Sequence, residues 1–137
     1  RIGIVLSLDG GALKEIVKPA RTGVFGYFGD GSAYYSWVHI DDICNMIEFI
    51  FDQKLNGIYN ATAPEPVTIK TLVKQVKSAM GKPGLVMPVP KFALNLAMGE
   101  MADMLFNSTR VVPKALLSAG FKFEYEGLEN TLRDLLN

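Results

Sequence analysis

Cysteine is almost absent from this chain of 137 residues, and histidine and tryptophan each occur once. The lone Cys44 has no partner within the chain, which excludes an intramolecular disulfide and predicts a reducing, cytoplasmic setting. Net charge is absent as well, because 14 Lys plus Arg balance 14 Asp plus Glu. A nucleic-acid platform needs a basic excess to neutralise phosphates, so nucleic acid is not expected as a partner. The same balance removes the electrostatic attraction of a membrane-surface protein. No apolar run approaches bilayer-spanning length, so no membrane partner is expected either. An initiator Met is missing too. Arg1 leads directly into Ile2–Leu6, a run too short for the apolar region of a signal peptide. A chain that opens in mid-strand reads as a fragment of a longer protein.

What remains is an ordinary globular composition, 49% hydrophobic, long enough for one domain with a modest core. Ile2–Leu6 is nearly continuous in apolar residues, as a parallel strand covered on both faces would be. Ala12–Ala20 reads as a helix with Leu13, Ile16 and Val17 on one face. Thr22–Ala33, with Gly23, Gly26, Gly29 and Gly31, reads as a loop. Tyr34–His39 is aromatic and β-prone, hence a strand. Asp41 is the expected N-cap of the next helix, where Ile43, Met46, Ile47, Ile50 and Phe51 follow helical spacing. Asn56-Gly57 ends that helix, and Ile58–Ala61 reads as a second short strand. Strand, helix and strand at this spacing fit a right-handed parallel crossover.

Thr68 is expected to cap a helix carrying Ile69, Leu72, Val73, Val76 and Met80, stopped by Gly81 and Pro83. Leu85-Val86 is a short extended piece, and Lys91–Phe106 reads as a long helix. Met98, Met101 and Met104 within it are more often core than binding surface. Pro113 opens a short helix to Ala119, Phe121–Tyr125 alternates as a strand, and the last helix aligns Leu128, Leu132, Leu135 and Leu136.

Several stretches carry a family pattern. Gly29-Asp30-Gly31 through Trp37-Val38-His39-Ile40-Asp41-Asp42 resembles the turn and strand of extended short-chain dehydrogenase/reductases that end in His-Val-Asp-Asp. Gly57-Ile58-Tyr59-Asn60-Ala61 resembles the strand that follows there, and Val67-Thr68 the next helix start. Pro90-Lys91-Phe92-Ala93-Leu94, Gly99-Glu100-Met101-Ala102, Arg110-Val111-Val112-Pro113 and Leu116–Tyr125 are similar to a nucleoside-diphosphate-sugar-epimerase-like subgroup. A lone His-x-Asp-Asp is weak, whereas this ordered set covers nearly the whole chain.

The resemblance implies an α/β fold: the C-terminal portion of a Rossmann-type parallel sheet plus a small mixed α/β substrate-binding lobe. On that pattern residues 1–62 end the Rossmann-type domain with an inserted lobe segment, and residues 63–137 form the C-terminal lobe. It implies NAD or NADP for the full-length parent and none held by this part. The family's Gly-rich phosphate turn lies further towards the N-terminus, and the Tyr-x-x-x-Lys pair mid-chain. Tyr27, Tyr34, Tyr35, Tyr59 and Tyr125 all lack a Lys four residues on. No catalytic residue is therefore expected here. The chain reads as the substrate-binding part of an NAD(P)-dependent sugar-nucleotide epimerase or reductase-like protein, inactive alone. The other reading is a non-catalytic binding or regulatory module, related to cell division, on the same fold.

Four residues are candidates for contact with a small, sugar-nucleotide-like substrate. Arg1 sits where the family has an Arg leading towards the cleft, with an ion pair between loops as the competing reading. Tyr35 stands four before His39, where many sugar-nucleotide epimerases place an Arg that grips a diphosphate. A hydroxyl and a ring cannot supply bidentate phosphate capture. Trp37 shares the strand face of Tyr35, so the pair is either a cleft wall or packed core. Arg110 could grip an anion from a different position, or be a surface residue. His39 is expected to hold hydrogen bonds rather than act as a base, and Asp41 and Asp42 to divide between capping and solvent. No metal site is expected. The open edge of Ile2–Leu6 predicts self-association of the isolated piece.

Overall fold

The computed structural model describes residues 1–90, 108 and 110–137. Eleven elements follow in the order β1 (Ile4–Leu6), α1 (Gly11–Ala20), β2 (Val24–Phe28), β3 (Tyr34–Tyr35), β4 (Trp37–His39), α2 (Ile40–Asp52), β5 (Val67–Thr68), α3 (Ile69–Met80), β6 (Leu85–Val89), α4 (Lys114–Ser118) and α5 (Leu128–Leu136). The expected helix over Lys91–Phe106, with its three methionines, lies outside the described residues.

The strands form three two-stranded ladders. β1 runs parallel to β4 with Ile4 opposite Trp37 and Leu6 opposite His39. Just before this pairing, β1 meets the chain again in a parallel bridge between Ile2 and Ala61. Gly3 N–H donates to the Ala61 carbonyl at 3.0 Å, and Ala61 N–H donates to the Arg1 carbonyl at 2.8 Å. One edge of β1 is therefore engaged at its start by Ala61, and the other at its end by β4. Gly3 is required at this crossing, because a Cβ there would collide with the Ser36 carbonyl and the Thr62 methyl. Of the expected strand Ile58–Ala61, only the Ala61 bridge forms.

The Gly-bearing stretch read as a loop contains β2, which pairs in parallel with β6. Phe25 and Tyr27 alternate into the core, a period-2 signal that the glycine density obscured. Gly26 is there for close approach, since a Cβ would strike the Val89 side chain. Gly29 and Gly31, at φ 59° and 80°, make the actual turn. The expected strand over Tyr34–His39 is divided at Ser36: β3 pairs antiparallel with β5, and β4 goes on to pair with β1.

The helices largely keep their expected faces. α1 buries Leu13, Ile16, Val17 and Ala20, and Pro19 is tolerated in its last turn. α3 begins at Thr68, whose hydroxyl accepts from Thr71 N–H at 3.2 Å, and ends at Gly81 with left-handed φ of 60°. α2 differs from expectation at its start. Its N-cap is His39, whose Nδ1 accepts from Asp41 N–H at 3.0 Å, so Asp41 is not the cap. The segment Phe121–Tyr125 is not a strand; its backbone is bound instead by a side chain, as described below.

The larger core gathers Leu6, Leu13, Phe25, Trp37, Leu72 and Leu132 with their neighbours. It therefore draws on both sides of the boundary drawn between residues 62 and 63. A smaller core packs Val38, Ile43, Met46, Leu116, Phe121 and Phe123, and stacks Phe121 edge-on to both Phe49 and Phe123. No helix among the described residues is long and apolar enough to cross a membrane.

Candidate functional site

The crossing of β1 with Ala61 and β4 leaves a cleft of about 540 Å³ at the start of β1. Its walls are Arg1–Ile4, Tyr34–Ser36, Asn60, Thr62 and Val111. Each wall is placed by pairing already described: β1 supplies one side, the β3 to β4 junction the second, and the bridge residues the third. Ser36 ties them together. Its carbonyl accepts from Ile4 N–H at 2.8 Å, and its hydroxyl accepts from Val111 N–H at 2.8 Å. That second bond fixes the 110–111 segment over the cleft mouth. Tyr34 N–H, two residues before Ser36, donates to the Ser108 hydroxyl at 3.0 Å.

Of the four candidate residues, Arg1 and Tyr35 line the cleft directly. Tyr35 is almost wholly buried, and burial pushes its hydroxyl up to about 12. It is thus a neutral phenol across the ordinary pH range, a hydrogen-bonding group rather than an anion or a base. Trp37 does not line the cleft. It sits behind it in the larger core, and its indole Nε1–H donates to the Glu65 carbonyl at 2.9 Å. Arg110 stands at the mouth with its guanidinium 5.2 Å from the centre of the Tyr34 ring, a cation–π arrangement. Arg110 itself does not line the cleft, but its neighbour Val111 and the Tyr34 ring beneath its guanidinium both do. Tyr34, Asn60 and Thr62 were missed by the sequence reading. For Tyr34 the only signal was its place beside Tyr35, and a strand is normally assigned one inward face.

The acidic pair after β4 is structural. Asp42 is fully buried, and its two carboxylate oxygens accept from Glu124 N–H at 2.9 Å and Tyr125 N–H at 3.0 Å. This corrects the division of Asp41 and Asp42 between capping and solvent: Asp41 is the exposed member and Asp42 anchors a distant segment. His39, buried as well, hydrogen-bonds as expected. With Nδ1 occupied as an acceptor, Nε2 carries the proton and faces Asp134 Oδ2 at 3.2 Å. The imidazole also stacks on Tyr125 at 3.8 Å. Burial, then the nearby carboxylate of Asp134, pushes the Tyr125 hydroxyl upward. These groups fasten the C-terminal helix to β4 and α2, away from the cleft. Among the described residues no group of three or more His, Cys, Asp or Glu is placed to hold a metal ion.

The turn after β1 bears on dinucleotide binding. β1 to α1 is the strand–turn–helix that follows the parallel pairing, and its turn reads Ser7-Leu8-Asp9-Gly10. A phosphate cradle needs converging backbone amides with no carboxylate among them. Here Asp9 stands in the turn, and its N–H is already given to the Ser7 hydroxyl at 3.2 Å. These residues do not fit a pyrophosphate.

Known proteins of similar sequence and fold point to its class. A family described as "Domain of unknown function (DUF1731)" matches residues 89–135. The chain is 35% identical over 137 residues to the epimerase family protein SDR39U1 homolog, chloroplastic, of Arabidopsis thaliana, covering 99% of the chain and 39% of that protein. It is 37% identical to an epimerase family protein of Staphylococcus epidermidis, covering 99% of the chain and 46% of the relative. The crystal structure of human epimerase family protein SDR39U1 with NADPH superposes with a TM-score of 0.90 at 26% identity, over 99% of this chain and 46% of that one. The nucleoside-diphosphate sugar epimerase from Corynebacterium glutamicum follows at a TM-score of 0.71 and 28% identity, over 99% of this chain and 25% of that one. The fold is thus that of the epimerase and short-chain dehydrogenase/reductase class. Within it the chain is similar to the C-terminal part of epimerase family SDR39U1-like proteins. It spans less than half the length of these curated relatives.

Proposed function

We propose that this chain is the substrate-binding lobe of an NAD(P)-dependent epimerase or reductase-like enzyme, and that the cleft at the start of β1 receives the substrate. The observation that carries the reading is the cleft itself, with an arginine in its wall and a second at its mouth. Arg1 and Arg110 supply positive charge there, and Tyr34, Tyr35, Asn60 and Thr62 supply rings and hydrogen-bonding groups. Trp37 acts from behind, as packing that holds β4 in place. With Tyr rather than Arg at position 35, bidentate capture of a diphosphate falls to Arg110 or is absent. A small anionic molecule suits this cleft better than a nucleotide sugar bound in the usual family manner. The cofactor and the Tyr-x-x-x-Lys chemistry belong to the part of the parent that this chain does not include. On this reading the 137-residue chain is inactive alone. Ala61 meets β1 only in the bridge at Ile2, and β4 pairs with it over Ile4–Leu6 alone; such partial pairing supports self-association of the isolated chain.

The test uses the full-length protein. NADPH titration followed by turnover screening of anionic substrates is expected to find binding and activity. Arg110→Ala is expected to raise KM about tenfold without changing NADPH affinity, the cost of one charge-assisted contact. Absence of NADPH binding overturns the enzyme reading. An unchanged KM in Arg110→Ala overturns the cleft assignment.

A further inference from the structure

α2 carries more apolar surface than its own core uses. Ile43 and Met46 are buried, with Phe49 and Ile50 packed beside them. A second apolar row, Ile40, Cys44, Ile47 and Phe51, recurs at i, i+4, i+7 and i+11 and so runs down one flank of the helix. Cys44 is exposed, Ile47 is 49% exposed and Phe51 is 77% exposed. Next to it runs a polar row at the same spacing: Asp41, Asn45, Glu48 and Asp52, all exposed. No Lys or Arg lies on α2 to balance those carboxylates.

The spacing of the apolar row is that of a helix–helix seam. The acidic row then selects what packs there. A second copy of α2 laid antiparallel would set two rows of carboxylates side by side, which Coulomb repulsion disfavours. A helix with its own apolar row edged by Lys or Arg would satisfy both rows together. The relatives supply a source for such a helix, since this chain spans only 39 to 46% of their length.

We propose that the outer row of α2 seats an amphipathic, basic-flanked helix contributed by the remaining part of the longer polypeptide. This rests on the reading of the chain as one lobe of a larger enzyme. The seated helix covers Cys44, Ile47 and Phe51 and sets its cations against Asp41, Glu48 and Asp52.

Cys44 reports on this directly, because a covered thiol alkylates slowly. In the native full-length protein, Cys44 alkylation by N-ethylmaleimide, followed by peptide mass mapping, should be at least about tenfold slower than in the urea-unfolded protein. Phe51→Asp should restore fast alkylation. A maleimide–succinimidyl ester crosslinker should join wild-type Cys44 to a lysine of the same polypeptide. Alkylation as fast as in urea, or a link to a second copy, overturns the proposal. NADPH titration of the same samples separates the two readings. Binding with an open Cys44 sinks only the seat on α2, whereas no binding sinks the functional reading whatever Cys44 does.

Discussion

α2 and α3 are neighbours in sequence, nearly equal in length at 13 and 12 residues, and opposite in how they use their apolar residues. In α3 the apolar stripe is as wide as its contact with the core. Ile69, Leu72, Val73 and Val76 are all fully buried, and Lys70 and Lys74 occupy the outside. In α2 the apolar surface continues past the core edge, to Ile47 and Phe51 in solvent. A helix that packs on one neighbour needs one stripe, and a helix with surplus apolar surface has a second contact to make. The difference lies in what each helix faces, because both obey the same 3.6-residue period.

The strongest way to break this comparison is to cut into α3. Leu72→Ala removes a fully buried side chain of the larger core and should cost about 3–4 kcal/mol, measured by urea unfolding. A loss near zero would mean that the α3 face is not the core that its burial indicates. Next in size is a polar contact of α2. Asp42→Ala leaves the Glu124 and Tyr125 amides without their acceptor and should cost about 2–3 kcal/mol. Asp42→Asn retains one acceptor oxygen, so its loss should fall between that value and zero. Equal losses in the two variants would show that charge, rather than acceptor count, holds the segment.

The two helices also differ in how far they could be read in the sequence. α3 was legible because every local signal agreed: a Thr cap, a periodic stripe and a Gly stop. The parallel crossover from β4 through α2 to Ala61 was legible for a similar reason, whereas nothing in the sequence showed that β1 pairs with both ends of it. β2 was hidden because its glycines serve packing at Gly26 and turning at Gly29 and Gly31, and composition alone cannot separate those uses. Asp42 was hidden because its partners lie about 80 residues away, at Glu124 and Tyr125. In the cleft, Arg1 and Tyr35 were found through family position. Tyr34, Asn60 and Thr62 were not, because they meet only after three separate segments pair. Trp37 shows the converse: it reads as one strand with Tyr35, yet it lies on β4 beyond the break at Ser36 and packs in the core without lining the cleft.

A smaller effect sharpens the comparison at the start of α3. Thr68→Ala deletes the hydroxyl that caps Thr71 N–H and should cost about 1 kcal/mol. Thr68→Ser keeps the oxygen and should recover most of that loss. The equivalent cap of α2 is the His39 imidazole, whose Nδ1 accepts from Asp41 N–H while its Nε2 faces Asp134, so a change there cannot be confined to one helix end.

The smallest expected effect is the most informative about α2. In the 137-residue chain, Phe51→Ser alters a side chain that is 77% exposed and should change stability by no more than about 0.5 kcal/mol. In the full-length protein the same substitution should cost about 1–2 kcal/mol, because there the ring is buried against the seated helix. The contrast between the two measurements carries the information. A surface phenylalanine is silent in both, and one belonging to the local core is costly in both. A ring held ready for a second contact is silent only while that contact is missing.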